Sequence, residues 1–393
     1  MIPLLTYSTL FPNREQPVHG LFVEERLRQL LGTGRIAASV IAPVPWFPFG
    51  APVFGSYARF ARVPRSEQRN GLTISHPRYA LLPKIGMLSA PFLMAASTVA
   101  DVRRALASGA DRPIVDAHYL YPDGVAAALI ARALDLPLVL TARGSDVNLI
   151  ARHPLARRML LWAIRRSQAT VTVSAALKAA LVAFGADERK LHVIRNGVNL
   201  ARFAPRDRAV ARRRVGVDGF VVLTVGKLDE NKGHHLVVDA LSHCPGATHL
   251  IVGEGPWRDG LARRAASAGI GGRVRLLGAV GHDELPDYYA AADVLVLASA
   301  REGMPNVVLE ALACGLPVIA TDVGGVAEIL QGAPACTLLA ERSSEAVARA
   351  LAAVAAASSD RDAVRRHAER FGWEAVASAQ LEVLESVPRG GTR

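Results

Sequence analysis

An α/β architecture of two facing doubly wound domains, with a cleft between them, is predicted by three observations. The chain has 393 residues, enough for two cores at about 100 to 200 residues per domain. Short apolar runs alternate with helical periodicity from end to end, which is how parallel sheets covered by crossover helices read in sequence. That alternation stops once, at 196–205 (NGVNLARFAP), where Asn-Gly and Pro interrupt strand and helix alike, and then starts again. The boundaries that follow are 1–197 for the first domain, 198–372 for the second and 373–393 for a terminal helix placed to cross back to the first.

In the first half the apolar runs predict strands at 2–10, 36–43, 114–118, 138–141, 170–174 and 191–194. Helical periodicity fills the gaps. The segment 20–31 (GLFVEERLRQLL) sets Leu21, Leu27 and Leu30 or Leu31 on one stripe and Glu25, Arg28 and Gln29 on the other, and 123–134 and 175–184 repeat the pattern. The second half predicts strands at 221–228, 249–255, 274–280, 294–299 and 317–322, and the chain after Glu341 reads as helical to its end. Open sheets of this kind bind ligands beyond the carboxyl ends of their strands, so the expected site lies in the cleft.

Composition narrows the function. With 51% hydrophobic and 21% charged residues the chain is neither disordered nor low in complexity. The central apolar stretch 85–100 is broken by Pro91 and falls short of the roughly 20 residues that cross a bilayer. The first residues lack the basic region of a secretory signal, so a cytoplasmic protein is expected. Cys244, Cys314 and Cys336 fit neither a metal site nor a disulfide framework and read as buried thiols.

Charge is uneven. Residues 1–196 carry 24 Lys and Arg against 12 Asp and Glu, which accounts for the whole formal net charge of +11. Such a field attracts nucleic acid, anionic lipid or a phosphorylated substrate. No nucleic-acid recognition motif accompanies it, so nucleic acid is not an expected partner. The basic segment 151–167 (ARHPLARRMLLWAIRRS) and the aromatic loop 44–54 (VPWFPFGAPVF) instead suggest a first domain that rests on the anionic inner face of the cell membrane.

The most informative segment is 299–328 (SAREGMPNVVLEALACGLPVIATDVGGVAE). A strand ends at Ser299, a loop carries Glu302, Gly303 and Pro305, and a helix follows with Glu310 in its second turn until Gly315 stops it. The start of that helix offers unpaired amides to a phosphate, and ionised Glu302 and Glu310 accept hydrogen bonds from the vicinal hydroxyls of a sugar. In 226–233 (GKLDENKG) Lys227 and Lys232 lie between a strand and a helix and are expected to point into the cleft as two cations. His118 ends the strand IVDAH; taken alone, it reads as a core or surface histidine. Asp360-Arg-Asp362 has no strand before it and is not read as a metal motif, and no histidine has convincing ligand spacing.

These residues resemble the retaining, nucleotide-sugar-dependent glycosyltransferases of family 4, whose fold is the Rossmann-like two-domain GT-B arrangement. Ser299, Glu302, Gly303, Pro305, Glu310, Ala311, Ala313, Gly315, Pro317, Gly324, Gly325 and Glu328 match that family's pattern, and GEGP, VGKLDENKG, VIRNGV and Gly20 extend the likeness over most of the chain. The resemblance implies His118, Lys232 and Glu302 as catalytic residues. It implies Gly20, Lys227, Lys232, Glu254, Gly255, Pro256, Glu302, Gly303, Met304, Pro305, Asn306 and Glu310 around the donor. Arg143 and Asp146, in TARGSD, fall on the acceptor side, with Arg143 standing where the family commonly has His. The implied reaction moves a hexose from a UDP- or GDP-sugar to a saccharide or lipid-linked glycan, with no metal or other cofactor. The alternative is a nucleotide-sugar epimerase of the same architecture that uses no nicotinamide.

Overall fold

The computed structural model describes residues 1–81, 86–107 and 112–388. Packing divides the chain into two units: Met1–Arg195 together with the chain from Val376 on, and Asn196–Ala375.

Unit one holds strands β1 (Ile2–Tyr7), β2 (Ile36–Ile41), β3 (Val44–Pro45), β4 (Ser66–Arg69), β5 (Leu72–Ser75), β6 (Arg78–Tyr79), β7 (Ile114–His118), β8 (Leu138–Ala142), β9 (Ala169–Thr172) and β10 (Leu191–Val193). Eight of them form one sheet in the order β10-β9-β8-β7-β1-β2-β5-β4. Its neighbours are parallel except β4, which turns back antiparallel on β5. Every residue of β7, β8 and β9 is buried, as expected of parallel strands covered on both faces, and this is why they stand out as unbroken apolar runs. Helices Leu21–Gly32, Gly86–Ala107, Val125–Leu134 and Pro154–Arg166 are among those between the strands.

Unit two holds β11 (Val221–Val225), β12 (Thr248–Val252), β13 (Val274–Gly278), β14 (Val294–Leu297), β15 (Val318–Thr321) and β16 (Thr337–Leu339). They form a sheet in the order β13-β12-β11-β14-β15-β16, with every neighbour parallel. Strand order reverses beside β1 in the first sheet and beside β11 in the second. At those points the crossovers depart in opposite directions and leave room beyond the strands' carboxyl ends.

The structure changes several details of the sequence reading. The polar hairpin β4–β5 and the short β16 were not expected from apolar runs. The hairpin turns on Asn70 and Gly71, both at positive φ, a pair well suited to a two-residue turn. The region after Glu341 is three helices, Ser344–Ala356, Arg361–Glu369 and Trp373–Ser386; Ser343 and Asp360 cap the first two with their side chains. Residues 389–393 of the expected terminal segment, and Ile85 of the central apolar stretch, lie outside the described residues. No described helix is long and apolar enough to cross a membrane. Of the three thiols, Cys314 is buried, while Cys244 and Cys336 are half-buried.

The basic helix Pro154–Arg166 buries Ala156, Leu160, Ala163 and Ile164 within its own unit. Leu155 on the same helix is exposed, and Met159 and Trp162 are half-buried. In the aromatic loop Trp46 is 57% and Phe49 55% exposed, and Phe47, Phe49 and Phe54 gather with ring centroids 5.1–6.0 Å apart.

Candidate functional site

In unit two the loops leaving β11, β12, β14 and β15 are stitched together by their backbones. Leu228 N donates to Glu254 O at 2.9 Å, Ala300 N to Asn231 O at 2.7 Å and Gly325 N to Gly303 O at 2.8 Å. Glycine is required where these chains touch. A Cβ on Gly233 (φ +70°) would lie 2.0 Å from Ala298 O, and one on Gly324 (φ +57°) 2.2 Å from Glu302 O.

Lys232 closes a single turn capped by Asp229, which accepts from the Lys232 amide at 3.2 Å. The Lys232 ammonium meets Glu302 Oε1 at 2.7 Å, with the two side chains 24% and 10% exposed. Two residues expected to act together are thus paired across 70 positions of sequence. Lys227 is different: its side chain is exposed and its ammonium lies 3.4 Å from Asp229. Glu254 and Pro256 are exposed beside Gly255. Pro305 sits at the N-cap of helix Asn306–Ala313 and brings no side-chain oxygen to that end. Met304 is 5% exposed; its sulfur accepts from Asn196 N at 3.2 Å. Packed inward, its side chain supports the loop and leaves only its backbone to face a donor. Asn196 also donates through Nδ2 to Met304 O at 3.2 Å and to Asn306 Oδ1 at 2.9 Å, which fixes the start of that helix.

Glu310 is 8% exposed, and both of its oxygens are engaged. Tyr289 OH donates to Oε2 at 2.8 Å, and His282 Nε2 lies 3.2 Å from Oε1. Burial, and then the Glu310 carboxylate, holds the Tyr289 hydroxyl well above its ordinary pKa, so it remains a donor.

In unit one His118 ends β7 and is 2% exposed. Asp116, two residues earlier on the same strand face, accepts from Nε2 at 3.0 Å. Arg143, just past β8, donates to Nδ1 at 2.6 Å. A guanidinium only donates, so the imidazole is neutral with its proton on Nε2. Burial holds its pKa below the ordinary value, and the Arg143 charge adds to that against the pull of Asp116. Burial also pushes the Arg143 guanidinium down to about 9, with the neighbouring Arg26 in the same direction. Asp146 is fully buried and accepts from the backbone amides of Leu120, Arg143, Gly144 and Val147 at 2.7–3.2 Å. It shapes the loop and has no surface to offer an acceptor, which corrects its expected role. Gly20 sits at φ +71°, and a Cβ there would lie 2.3 Å from Leu10 O, so the position requires glycine.

Sequence reasoning missed Asp116, Asn196, His282 and Tyr289. Asp116 has a local signal, a carboxylate two residues before a strand-end histidine. Asn196 lies within VIRNGV, part of the family likeness, whereas His282 and Tyr289 act across distant segments and have no local signal. No group of three or more His, Cys, Asp or Glu able to hold a metal occurs among the described residues.

Two sheets with ligand-binding switch points, and paired Lys and Glu side chains at the start of a phosphate-ready helix, define a sugar- or nucleotide-handling α/β protein. The family model Glycosyl transferases group 1 matches residues 206–371, and Glycosyltransferase Family 4 matches residues 53–202. The chain is 30% identical over 361 residues to a Bacillus subtilis protein assigned to teichuronic acid biosynthesis as glycosyltransferase TuaC, covering 88% of each. It is 35% identical to the D-inositol 3-phosphate glycosyltransferase of Streptomyces bingchenggensis, over 53% of this chain and 50% of that one. Among solved structures it resembles sucrose-phosphate synthase from Thermosynechococcus elongatus (TM-score 0.77, 20% identity, 98% of each chain). It also resembles Anabaena HepE in complex with UDP (TM-score 0.72, 21% identity, 98% of this chain and 100% of that one). This chain belongs to the group 1, family 4 glycosyltransferases of the GT-B fold.

Proposed function

We propose that this enzyme transfers a hexose from a UDP- or GDP-sugar to a saccharide or lipid-linked glycan, with retention of configuration, in the synthesis of a cell-surface polysaccharide or glycolipid. The observation that carries the reading is the Lys232–Glu302 pair at 2.7 Å, set beside the helix that bears Glu310. Glu310 and Glu302 accept from donor hydroxyls. Lys232 and the amides that open helix Asn306–Ala313 absorb the charge of the departing diphosphate, so the reaction needs no metal.

The bond from the sugar's anomeric carbon to the diphosphate oxygen breaks as the acceptor oxygen bonds to the same face, and the acceptor's proton passes to the diphosphate. No protein nucleophile is needed. That fits His118, whose two ring nitrogens are held by Asp116 and Arg143. In this reading His118 shapes the acceptor side of unit one, and Arg143 is its cation.

The enzyme works in the cytoplasm against the inner membrane face. Trp46 and Phe49 are exposed within residues 44–66, a segment with three arginines and no acid. Those features suit an anionic lipid surface.

The test is nucleoside diphosphate release with a panel of nucleotide sugars, with and without acceptor. Lys232→Ala and Glu310→Gln should each lower turnover at least ~100-fold while the protein stays folded. Wild-type rates in either variant would remove the assigned roles. Conversion of the donor into an epimeric nucleotide sugar, without acceptor and without net release of diphosphate, would make the enzyme an epimerase.

A further inference from the structure

We propose that His282 is a positioning residue that orients Glu310 for the two hydroxyls of a ribose, and that Arg202 fixes the tautomer in which it does so. The proposal rests on the reading of unit two as a nucleotide-sugar site and adds how the sugar of the nucleotide is selected.

Arg202 Nη1 lies 3.1 Å from His282 Nδ1. A guanidinium has donors only, so Nδ1 accepts and the ring proton sits on Nε2. That N–H points to Glu310 Oε1 at 3.2 Å, while Tyr289 OH reaches Oε2 at 2.8 Å. One donor on each oxygen, arriving from two separate elements, sets the plane of the carboxylate. Each oxygen keeps a further lone pair, and two parallel acceptors are what a vicinal diol needs. The ring itself is braced: it packs edge-on against Phe203 at 5.1 Å, and Phe203 packs in the same way against Tyr289 at 6.1 Å. Arg202 is braced as well, by an ion pair from Nε to Asp283 Oδ1 at 3.1 Å.

The same construction occurs in unit one, where Arg143 donates to His118 and His118 to Asp116. There the histidine and its carboxylate are buried together. In unit two the His282 side chain is one-third exposed and touches the edge of the site, so it can be replaced without opening a core.

The experiment measures dissociation constants of UDP and GDP, each against its 2′-deoxy form, by calorimetry on the full chain. Wild type should prefer the ribonucleotide by about tenfold or more, because the deoxy form loses a hydroxyl bound to a carboxylate. His282→Ala should cut that preference to about threefold or less by weakening the ribonucleotide alone. His282→Gln, whose longer side chain brings an amide N–H to the place of Nε2–H, should restore it, and the shorter His282→Asn should not. An unchanged preference in His282→Ala, or equal weakening of both nucleotides, overturns the proposal and leaves the role of Glu310 standing. Wild type binding both forms equally removes both.

Discussion

Gly324 tests how the site is seated. It lies at φ +57°, and a Cβ there would stand 2.2 Å from Glu302 O and 3.0 Å from Gly303 O. Gly324→Ala therefore combines left-handed strain of about 1–2 kcal/mol with backbone overlap that costs about 1–3 kcal/mol to relieve. Gly332 supplies the control: it has φ +76° and nothing within 4 Å of a built Cβ, so Gly332→Ala carries the strain alone. In a unit of this size each kcal/mol moves the midpoint by about 2–4 °C, so Gly324→Ala should melt about 4–20 °C below wild type and clearly below Gly332→Ala. Differential scanning calorimetry gives both midpoints. Adding UDP should rescue Gly324→Ala less than Gly332→Ala, because the displaced segment is the one that carries Glu302. Two variants melting within a degree of each other, with equal rescue, would refute the idea that the paired glycines seat the Glu302 loop.

Further outcomes concern pH and surfaces. Asp123 is fully buried and its carboxyl is pushed up from 3.8 to about 7 by burial, against the hydrogen bonds from Thr9. A raised folded pKa means the native state holds the extra proton, so this contribution is complete below about pH 4 and is lost as pH climbs through about 7, by up to ~4 kcal/mol. Asp123→Asn should flatten the loss of stability between pH 5 and 8, measured by denaturant titration.

The buried chain His234–Thr224–His249, linked at 3.0 Å on each side, acts in the opposite direction. Burial lowers these histidines to about 4 and about 3, so their stabilisation is full above pH 6.5 and falls as acid protonates the unfolded chain. The double variant His234→Gln with His249→Leu should lessen the acid-side slope, which two protons make as steep as ~2.7 kcal/mol per pH unit.

Trp46→Ser with Phe49→Ser should reduce sedimentation with anionic vesicles several-fold at low salt and leave binding to neutral vesicles unaltered. Equal partitioning of wild type to both vesicle types would count against the lipid surface. Chelator should leave the transfer rate unchanged, and its loss, restored by Mg²⁺, would defeat the metal-free reading.

Legibility followed burial. Strands β7, β8, β9, β11 and β14 are covered on both faces and announce themselves as apolar runs. The edge hairpin β4–β5 has a half-polar pattern, and only its Asn-Gly turn marks it. Within the site, Glu302 and Glu310 belong to one continuous segment and were readable together. His282 and Tyr289 reach Glu310 from 28 and 21 residues away, so no local spacing discloses them. The inward packing of Met304, and the amide cage around Asp146, depend on neighbours that only the folded chain supplies.

The reversed outer strand β4 has a consequence for how copies of this enzyme coexist at high concentration. Its residues, Ser-Glu-Gln-Arg, present the sheet's open margin as a polar, charge-bearing border in which Arg69 is tethered to Glu24 and Glu67 to His76. A second molecule seeking to extend the ladder there would have to strip water from ionised groups and undo both tethers, so fibrous end-to-end growth is discouraged at that border.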